Sequence, residues 1–144
     1  SKYKAMCEDV LIRESSKEFN ILIARPATVC GYSKRLRLDL TVNILTINAI
    51  NNNLIQVFGG EQKRPNIHIQ DIVDLYHKLL EYPDDLIRGK TFNAGYQNLT
   101  VSEIANTVKR VVSEEIPALE TLTIETTPSD DKRSYHISSD KINS

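Results

Sequence analysis

Aromatic residues are few in this sequence: Trp is absent, and Phe, Tyr and Trp together make up 6 % of the 144 residues. Proteins that bind single-stranded nucleic acid stack the bases on aromatic side chains, which argues against such a function here. Positive and negative charges are nearly equal in number: the sequence has 18 Lys and Arg and 19 Asp and Glu, which gives a formal net charge of −1. We therefore expect no nucleic-acid partner held on a broad positive surface, although a local anion site is compatible with this balance.

Cysteine is rare and long apolar runs are missing. Cys7 and Cys30 are the only cysteines, too few for a disulfide framework and without the paired spacing of a zinc site. No apolar run approaches the ~20 residues of a membrane-spanning helix, and no signal-like apolar segment follows the charged first residues. We therefore expect a reduced, cytoplasmic protein with no membrane partner.

Ionisable side chains form no pattern typical of a metal site. His68, His77 and His136 are scattered along the chain and offer no ligand cluster, so we expect no metal. We interpret His68 as a structural residue in a short strand and Asp71 as the cap of the following helix. Cys30 has no His or Lys neighbour in the sequence that would activate its thiol.

Length and composition fit one compact domain or part of a larger one. The 144 residues are 40 % hydrophobic and 26 % charged, which is ordinary globular usage. The sequence has no initiator Met, and its first residues already have the spacing of an amphipathic helix. We therefore expect a fragment of a longer chain.

Helical and strand patterns alternate along the sequence. Apolar residues recur at helical spacing in residues 3–17, 39–51, 72–81 and 101–116, and a further helix starts at residue 140. Short apolar or alternating runs predict strands at residues 20–24, 54–58, 65–68, 91–94 and 122–126, and a short extended piece at 135–137. Such alternation predicts an α/β fold. Because no Gly-rich dinucleotide turn is present, the chain has no nucleotide-cofactor cradle of its own.

Two of the predicted helices carry detailed expectations. In the helix at residues 39–51, the side chains expected to face inward are those of Leu40, Ile44, Ile47 and Ile50. Thr100 and Glu103 form a capping box: the Thr100 hydroxyl can accept from the Glu103 amide while the Glu103 carboxylate reaches back. In the helix that follows this box, the expected inward side chains are Val101, Ile104, Val108, Val111 and Val112.

Four segments, in this order and spacing, resemble one protein family. They are Ser1-Lys2 leading into a helix with Glu8, the strand exit RPATVCG at residues 25–31, the segment GGEQKRPNIHIQD at 59–71, and TFNAG at 91–95 followed by LTVSEIA at 99–105. Together they resemble the C-terminal half of extended short-chain dehydrogenase/reductases, specifically the NAD-dependent nucleotide-sugar epimerases and dehydratases. The resemblance implies a C-terminal fragment of a Rossmann-type α/β fold with its small α/β substrate-binding domain.

The resemblance implies a catalytic and cofactor-binding role for Lys2. The family has a Tyr-x-x-x-Lys pair followed by an acidic residue on the same helix, and Lys2 with Glu8 matches the Lys end of that pattern. One helical turn from a Tyr, an ammonium group can lower the phenol pKa and hold a ribose hydroxyl. The Tyr would precede Ser1, so this fragment alone is expected to be inactive. The alternative is a solvated Lys near the chain terminus.

The strand exit at residues 25–31 is implied to lie beside the cofactor. By resemblance, Pro26 and Val29 would flank the nicotinamide of NAD (or NADP), which would be bound mainly by a missing N-terminal part. Thr28 would stand near the sugar diphosphate, where many relatives have an Asn. The alternative is a rigid Pro-containing loop after a core strand.

Two arginines carry the substrate hypothesis. By resemblance, Arg64 and Arg133 converge on the diphosphate of a nucleotide sugar, for which a guanidinium offers a planar and permanently charged fork of donors. Asn43 resembles the Asn that contacts the same diphosphate. Val57 lies in the strand that resembles the one along the nucleotide base, which contacts the base chiefly through backbone groups. The alternatives are surface arginines paired with Asp, an Asn satisfied by a nearby carbonyl, and a strand that is simply core.

The resemblance divides the chain after residue 31. Residues 1–31 would end the NAD-binding Rossmann domain, and residues 32–144 would be mainly the substrate-binding domain, with segments that return to the Rossmann sheet. The implied function is the nucleotide-sugar-binding part of an NAD-dependent epimerase or dehydratase, which is a homodimer at full length. Two alternatives stay open: a reductase of the same superfamily acting on a non-nucleotide carbonyl, and a non-catalytic binding protein of the same fold.

Overall fold

Helices and strands alternate in residues 2–130 and 133–143, the part of the chain that the computed structural model describes. The helices are α1 Lys2–Glu14, α2 Thr41–Asn52, α3 Ile69–Glu81, α4 Asp84–Ile87, α5 Val101–Glu115 and α6 Asp140–Asn143, with a 3-10 turn at Pro117–Leu119. The strands are β1 Leu22–Pro26, β2 Thr28–Cys30, β3 Leu54–Phe58, β4 Lys63–His68, β5 Lys90–Ala94, β6 Gln97–Thr100 and β7 Thr123–Thr127. The predicted α/β class is confirmed.

The strands form three small sheets. β1 pairs parallel to β5, and β3 pairs parallel to β7. β4 lies between β2, to which it is parallel, and β6, to which it is antiparallel. The sequence did not predict β2 and β6, because strands this short depend on pairing with β4 more than on a pattern of their own. Only Ala27 separates β1 from β2, so two of the sheets meet there.

The main hydrophobic core lies between α2, α5 and the β3–β7 sheet. Ile55 on β3 and Leu122 before β7 are almost completely buried, and Ala49 on α2 and Ala105 on α5 are inaccessible to solvent. These small alanine side chains allow the two helices to approach closely. A second cluster joins β4, α3 and β5 and consists of Ile67, Ile72 and Ala94.

The buried face of α2 differs from the predicted one. Leu45 and Ala49 are buried, whereas Ile44 and Ile50 are 40 % and 45 % exposed. The prediction was wrong for these two isoleucines because apolar residues occur nearly all round α2, so that their periodicity does not select one face. Packing against α5 selects the face that carries the small Ala49.

The start of α5 confirms the predicted capping box. Thr100 Oγ1 accepts from the Glu103 N–H at 3.1 Å, and the Glu103 carboxylate accepts from the Thr100 N–H at 2.7 Å. The bond from the Thr100 amide, assisted by one from its hydroxyl, holds the pKa of the Glu103 carboxyl below its ordinary value. The helix buries four of the five predicted side chains, but Val111 is 41 % exposed.

The start of α3 corrects a predicted cap. His68 Nδ1 accepts from the Gln70 N–H at 3.2 Å, so His68, and not Asp71, is the N-cap. The prediction was wrong because α3 begins at Ile69, directly after β4, which leaves Asp71 inside the first turn. There its negative charge still suits the positive end of the helix dipole.

An ion pair attaches α1 to the end of β1. Both carboxylate oxygens of Glu8 accept from Arg25 Nε at 3.0 Å, and Oε2 also contacts Nη2. These bonds hold the pKa of the Glu8 carboxyl below its ordinary value and raise the pKa of Arg25. Since α1 buries none of its side chains, this pair is its principal fixed contact within the described residues.

Removing the cap of α5 should destabilise the fold. We expect Thr100→Ala to lower the free energy of unfolding by about 1 kcal/mol, because the N–H of Glu103 loses its acceptor. Urea denaturation followed by circular dichroism measures this change. Thr107→Ala is a matched control, since the Thr107 hydroxyl only donates to the Glu103 carbonyl on the same helix. Equal effects of the two substitutions would contradict the capping role.

Breaking the Glu8–Arg25 pair should loosen α1 without unfolding the core. We expect Glu8→Gln to lower the hydrogen-exchange protection factors of α1 amides and to leave those of α5 unchanged. Glu114→Gln is the control, because Glu114 pairs with Arg110 within one helix. Since the folded-state pKa of Glu8 is lowered, its contribution is complete above the unfolded-state pKa and is lost as the pH falls through the folded-state value. Protection of α1 that is independent of pH in acid would argue against this anchor.

Candidate functional site

A cavity of about 750 Å³ opens beside the β1–β2 junction. Its walls come from residues 26–29, from parts of the loop 31–40, from the start of α2, from β4 and from the C-terminal segment. Small-molecule sites occupy roughly 300–1,000 Å³, so the cavity is large enough for a ligand. Among the described residues that line it are three arginines, Arg35, Arg37 and Arg64, and one acidic residue, Asp39. This excess of positive charge favours an anionic ligand.

The β1–β2 junction supplies an uncharged part of the wall. Pro26 ends β1 and Thr28 begins β2, and both line the cavity together with Val29. The Ala27 N–H between them donates to the Ala94 carbonyl at 2.7 Å, which continues the β1–β5 pairing by one residue. Ligands of parallel sheets bind at this carboxyl end of the strands. The structure therefore brings together three of the residues singled out in the sequence.

Arg64 on β4 is held in place by the C-terminal segment. Its Nη1 donates to the carbonyls of Lys63 at 2.9 Å and Arg133 at 2.6 Å. Its guanidinium carbon lies 5.3 Å from the centre of the Tyr135 ring, within the range of a cation–π contact. The structure thus brings Arg64 and Arg133 together, through the backbone of Arg133. That both guanidinium groups grip one phosphate stays a prediction.

The C-terminal segment is attached to β6 through one side chain. Asn98 donates from Nδ2 to the Ile137 carbonyl and accepts at Oδ1 from the Ile137 N–H, both at 2.9 Å. Gly95 lies beneath this segment, and a Cβ there would collide with the Ile137 side chain. The predicted extended piece at 135–137 is not part of a sheet; the Asn98 side chain holds Ile137, and the Tyr135 N–H donates to the Lys63 carbonyl at 3.1 Å. As a result, Tyr135 and Ile137 line the cavity.

The loop before α2 is held by Asn43. Asn43 Nδ2 donates to the Arg37 carbonyl at 2.8 Å, and the Arg37 guanidinium binds Asp39 through Nε at 3.1 Å and Nη2 at 2.7 Å. The hydrogen bonds from Arg37 lower the pKa of the Asp39 carboxyl, and the pKa of Arg37 is raised in turn. Asn43 thus satisfies a nearby carbonyl, as one of the two interpretations of the sequence proposed, and it also lines the cavity.

Three residues singled out in the sequence, Lys2, Val57 and Arg133, do not line the cavity. Arg133 contacts Arg64 through its backbone carbonyl. Lys2 is exposed on α1, and Ser1 of the same motif lies outside the described residues. Val57 is 1 % exposed and belongs to the core between α2 and α5, so its side chain is structural. A contact between Val57 and a nucleotide could involve only its backbone and stays a prediction.

Sequence reasoning missed two arginines and one tyrosine of the wall. Arg35 and Arg37 lie in the loop after the strand exit, where the basic run Lys34-Arg35-Leu36-Arg37 was the available signal. Tyr135 stands two residues after Arg133, but its role depends on a ring contact with Arg64 that no local pattern encodes. A cluster of basic residues in a loop at a strand exit therefore indicates an anion site as much as an arginine within a family motif does.

Further properties of the part of the chain that the structure describes concern metal sites, membrane-spanning helices and reactive thiols. Among residues 2–130 and 133–143, no group of three or more His, Cys, Asp or Glu side chains could hold a metal ion. No described helix has the length and apolar character needed to cross a membrane. The Cys30 thiol donates to the Ile67 carbonyl at 3.5 Å, and burial raises its pKa. Such a thiol is not an activated nucleophile.

Several solved structures share this fold. UDP-N-acetylglucosamine 4-epimerase from Bacillus cereus matches with a TM-score of 0.72 at 20 % identity, over 97 % of this chain and 46 % of its own. TunA, an NAD dependent NDP-hexosamine 5,6-dehydratase involved in tunicamycin biosynthesis, matches at 0.64 and 26 % identity, over 88 % and 39 %. L-threonine dehydrogenase from Phytophthora infestans matches at 0.70 and 17 % identity, over 90 % and 41 %. The chain spans less than half the length of each of these three structures.

A family model also matches the sequence. It describes the NAD dependent epimerase/dehydratase family and matches residues 2–95, which is more than half of the 144 residues. The matched region includes α1, the β1–β2 junction, the loop 31–40 and Arg64, and so most of the cavity wall. The family expected from the four sequence motifs is confirmed. The chain belongs to the NAD dependent epimerase/dehydratase family.

Proposed function

We propose that this chain is the C-terminal, nucleotide-sugar-binding part of an NAD-dependent epimerase or dehydratase. The observation that carries the proposal is the cavity beside the β1–β2 junction, with its three arginines and one aspartate among the described lining residues. Guanidinium groups bind phosphate oxygens with paired, charge-assisted hydrogen bonds. Two of the similar solved structures are named for enzymes of UDP-N-acetylglucosamine and an NDP-hexosamine, which supports a ligand of this class.

Arg64 is the proposed anchor of the diphosphate. Its Nη1 is already bound to two carbonyls, which fixes the plane of the guanidinium. No described residue accepts from its Nε or Nη2, so these donors are available to phosphate oxygens. The Tyr135 ring limits the movement of the same group. A cation fixed in this way loses little side-chain entropy when the ligand binds.

The remaining substrate contacts are proposed for residues around Arg64. Arg133 would close on the same diphosphate from the C-terminal segment. Thr28 offers a hydroxyl at the wall, and Asn43 retains its Oδ1 after its Nδ2 has bound the Arg37 carbonyl. Val57 would act through backbone groups of β3 along the base. Held at several points, the sugar ring would be positioned for reaction at the β1–β2 junction.

NAD (or NADP) is the proposed cofactor, bound mainly by residues outside this chain. The part of the chain that would touch it fits a nicotinamide ring, because Pro26 and Val29 present an uncharged wall at the carboxyl end of β1. When bound, NAD supplies the hydride acceptor for a sugar carbon. Lys2 would hold a ribose hydroxyl and lower the pKa of a Tyr one turn earlier on the same helix.

The domain division and the wider properties of the enzyme are part of the same proposal. Residues 1–31 end the NAD-binding domain and residues 32–144 are mainly substrate-binding, with β5 returning to pair with β1. With no Gly-rich dinucleotide turn and no Tyr one turn before Lys2, these residues alone would not catalyse turnover. The full-length enzyme would be a cytoplasmic homodimer, and the exposed apolar side chains of α1, such as Tyr3 and Met6, support a covered helix.

A second candidate is a reductase that acts on a carbonyl without a nucleotide. The match to an L-threonine dehydrogenase favours it, since threonine carries no phosphate and that enzyme shares the fold. Such a reductase would have no need of an arginine-lined cavity. A non-catalytic binding protein of the same fold would bind the nucleotide sugar but complete no hydride transfer when NAD is present.

Replacing Arg64 tests the proposed function. We expect Arg64→Ala to weaken nucleotide-sugar binding by about 1.5–3 kcal/mol, because charge-assisted hydrogen bonds to the diphosphate are lost. Titration calorimetry with UDP-, GDP- and dTDP-sugars in the presence of NAD gives the dissociation constants. Tyr135→Leu should weaken binding less, since it removes the supporting ring and leaves the guanidinium.

Arg110→Ala is the matched control for this experiment. Arg110 is an exposed cation on α5 that pairs with Glu114 at 3.0 Å and does not line the cavity. Its loss should leave the dissociation constant unchanged. An Arg64→Ala variant that binds as tightly as Arg110→Ala would refute the diphosphate site, and tight binding of a phosphate-free carbonyl substrate would favour the reductase.

A further inference from the structure

The three arginines of the cavity differ in the hydrogen bonds that their guanidinium groups already make. Arg64 is bound to two carbonyls and packs on Tyr135. Arg37 is bound by two hydrogen bonds to the carboxylate of Asp39. Arg35 lines the same cavity and has no hydrogen bond or ion pair with any residue in the described ranges 2–130 and 133–143. Arg35 is therefore the guanidinium of this wall whose charge and donors are uncommitted.

The backbone on both sides of Arg35 is fixed. Before it, Gly31 has φ +110 and packs so closely on His68 that a Cβ would lie 2.7 Å from the ring Nε2. After it, Asn43 holds the Arg37 carbonyl at 2.8 Å. The loop is thus restrained near both ends, so the side chain of Arg35 can turn toward a ligand without rearrangement of the fold.

The three arginines differ in the number of N–H donors that an anion in the cavity could use. To bind Arg37 it must compete with the Asp39 carboxylate, which already occupies two guanidinium donors. To bind Arg64 it can use only the donors left over from the carbonyls of Lys63 and Arg133. Arg35 offers its whole fork of five N–H donors, and no carboxylate of residues 2–130 or 133–143 has to be displaced from it.

We propose that Arg35 is a further diphosphate-binding residue of this site and supplies, from the loop before α2, the cation that faces the ligand together with Arg64. The inference rests on the proposed nucleotide-sugar function and deepens it, because it adds a contact from the loop 31–40 to those proposed for Arg64 and Arg133. Two guanidinium groups from separate segments match the two charged phosphates of a diphosphate. A monophosphate, with one charged group, would gain much less from Arg35.

Arg35→Gln and Lys34→Gln form a matched pair of variants. Both remove one positive charge from the same exposed loop, but Lys34 does not line the cavity. In calorimetric titration with UDP-glucose, we expect Arg35→Gln to raise the dissociation constant roughly tenfold or more, and Lys34→Gln to raise it less than about twofold. The preference for UDP over UMP should shrink in Arg35→Gln alone.

A measurement on the unmodified protein keeps the test independent of folding of the variants. Arginine modification by phenylglyoxal, mapped by mass spectrometry, should be slowed at Arg35 by inorganic pyrophosphate and left unchanged at Arg110. Lack of protection at Arg35, or equal binding by the two glutamine variants, would overturn the inference. If the Arg35→Gln and Lys34→Gln variants both bind UDP-glucose tightly and equally, the role of Arg35 is refuted and the proposed nucleotide-sugar function is not. Protection by pyrophosphate without binding of any UDP-, GDP- or dTDP-sugar supports the role of Arg35 and refutes the nucleotide-sugar function.

Discussion

The cavity has one wall made by the C-terminal segment, which the Asn98 carboxamide and the backbone of Lys63 together hold in position. The carboxamide's donation to the Ile137 carbonyl and its acceptance from the Ile137 N–H reproduce one residue pair of an antiparallel ladder with a side chain in place of a strand. Nearer to Arg64, the Tyr135 N–H donates to the Lys63 carbonyl at 3.1 Å, and the Lys63 N–H donates to Ser134 Oγ at 2.9 Å. Held in this way, the segment places the Tyr135 ring over Arg64 and the Arg133 carbonyl against the same guanidinium.

The same chemical group serves three purposes around this cavity. At Arg64 the guanidinium joins two segments of the chain, because backbone carbonyls accept its protons. At Arg37 it neutralises Asp39 and orders the loop before α2. At Arg35 nothing in the described chain engages it, so its charge faces the cavity. Arg64 and Arg37 thus have structural contacts, and Arg35 is the cation of this wall that we assign to a ligand. The lining of the cavity is positively charged although the whole chain has a formal net charge of −1.

The sequence predicted the parts of the molecule that are encoded within a few residues. The capping box of Thr100 and Glu103 needs one helical turn, and β3 begins and ends at the predicted residues 54 and 58. The face of α2 was wrong because its choice depends on the shape of α5, which periodicity does not contain. The place of Arg35 in the cavity wall was missed for a related reason, since only the folded loop shows which basic side chains of one run reach the cavity.

The bond between Arg64 and the Arg133 carbonyl joins residues that are 69 positions apart. Closing so long a segment costs conformational entropy, and the neighbouring bonds of Lys63 to Ser134 and Tyr135 close the same segment. We therefore expect this wall to assemble after the sheets during folding and to be among the first parts to open in the native state. We expect the affinity for a ligand to depend on the fraction of molecules in which residues 133–137 are docked, and not only on the stability of the core.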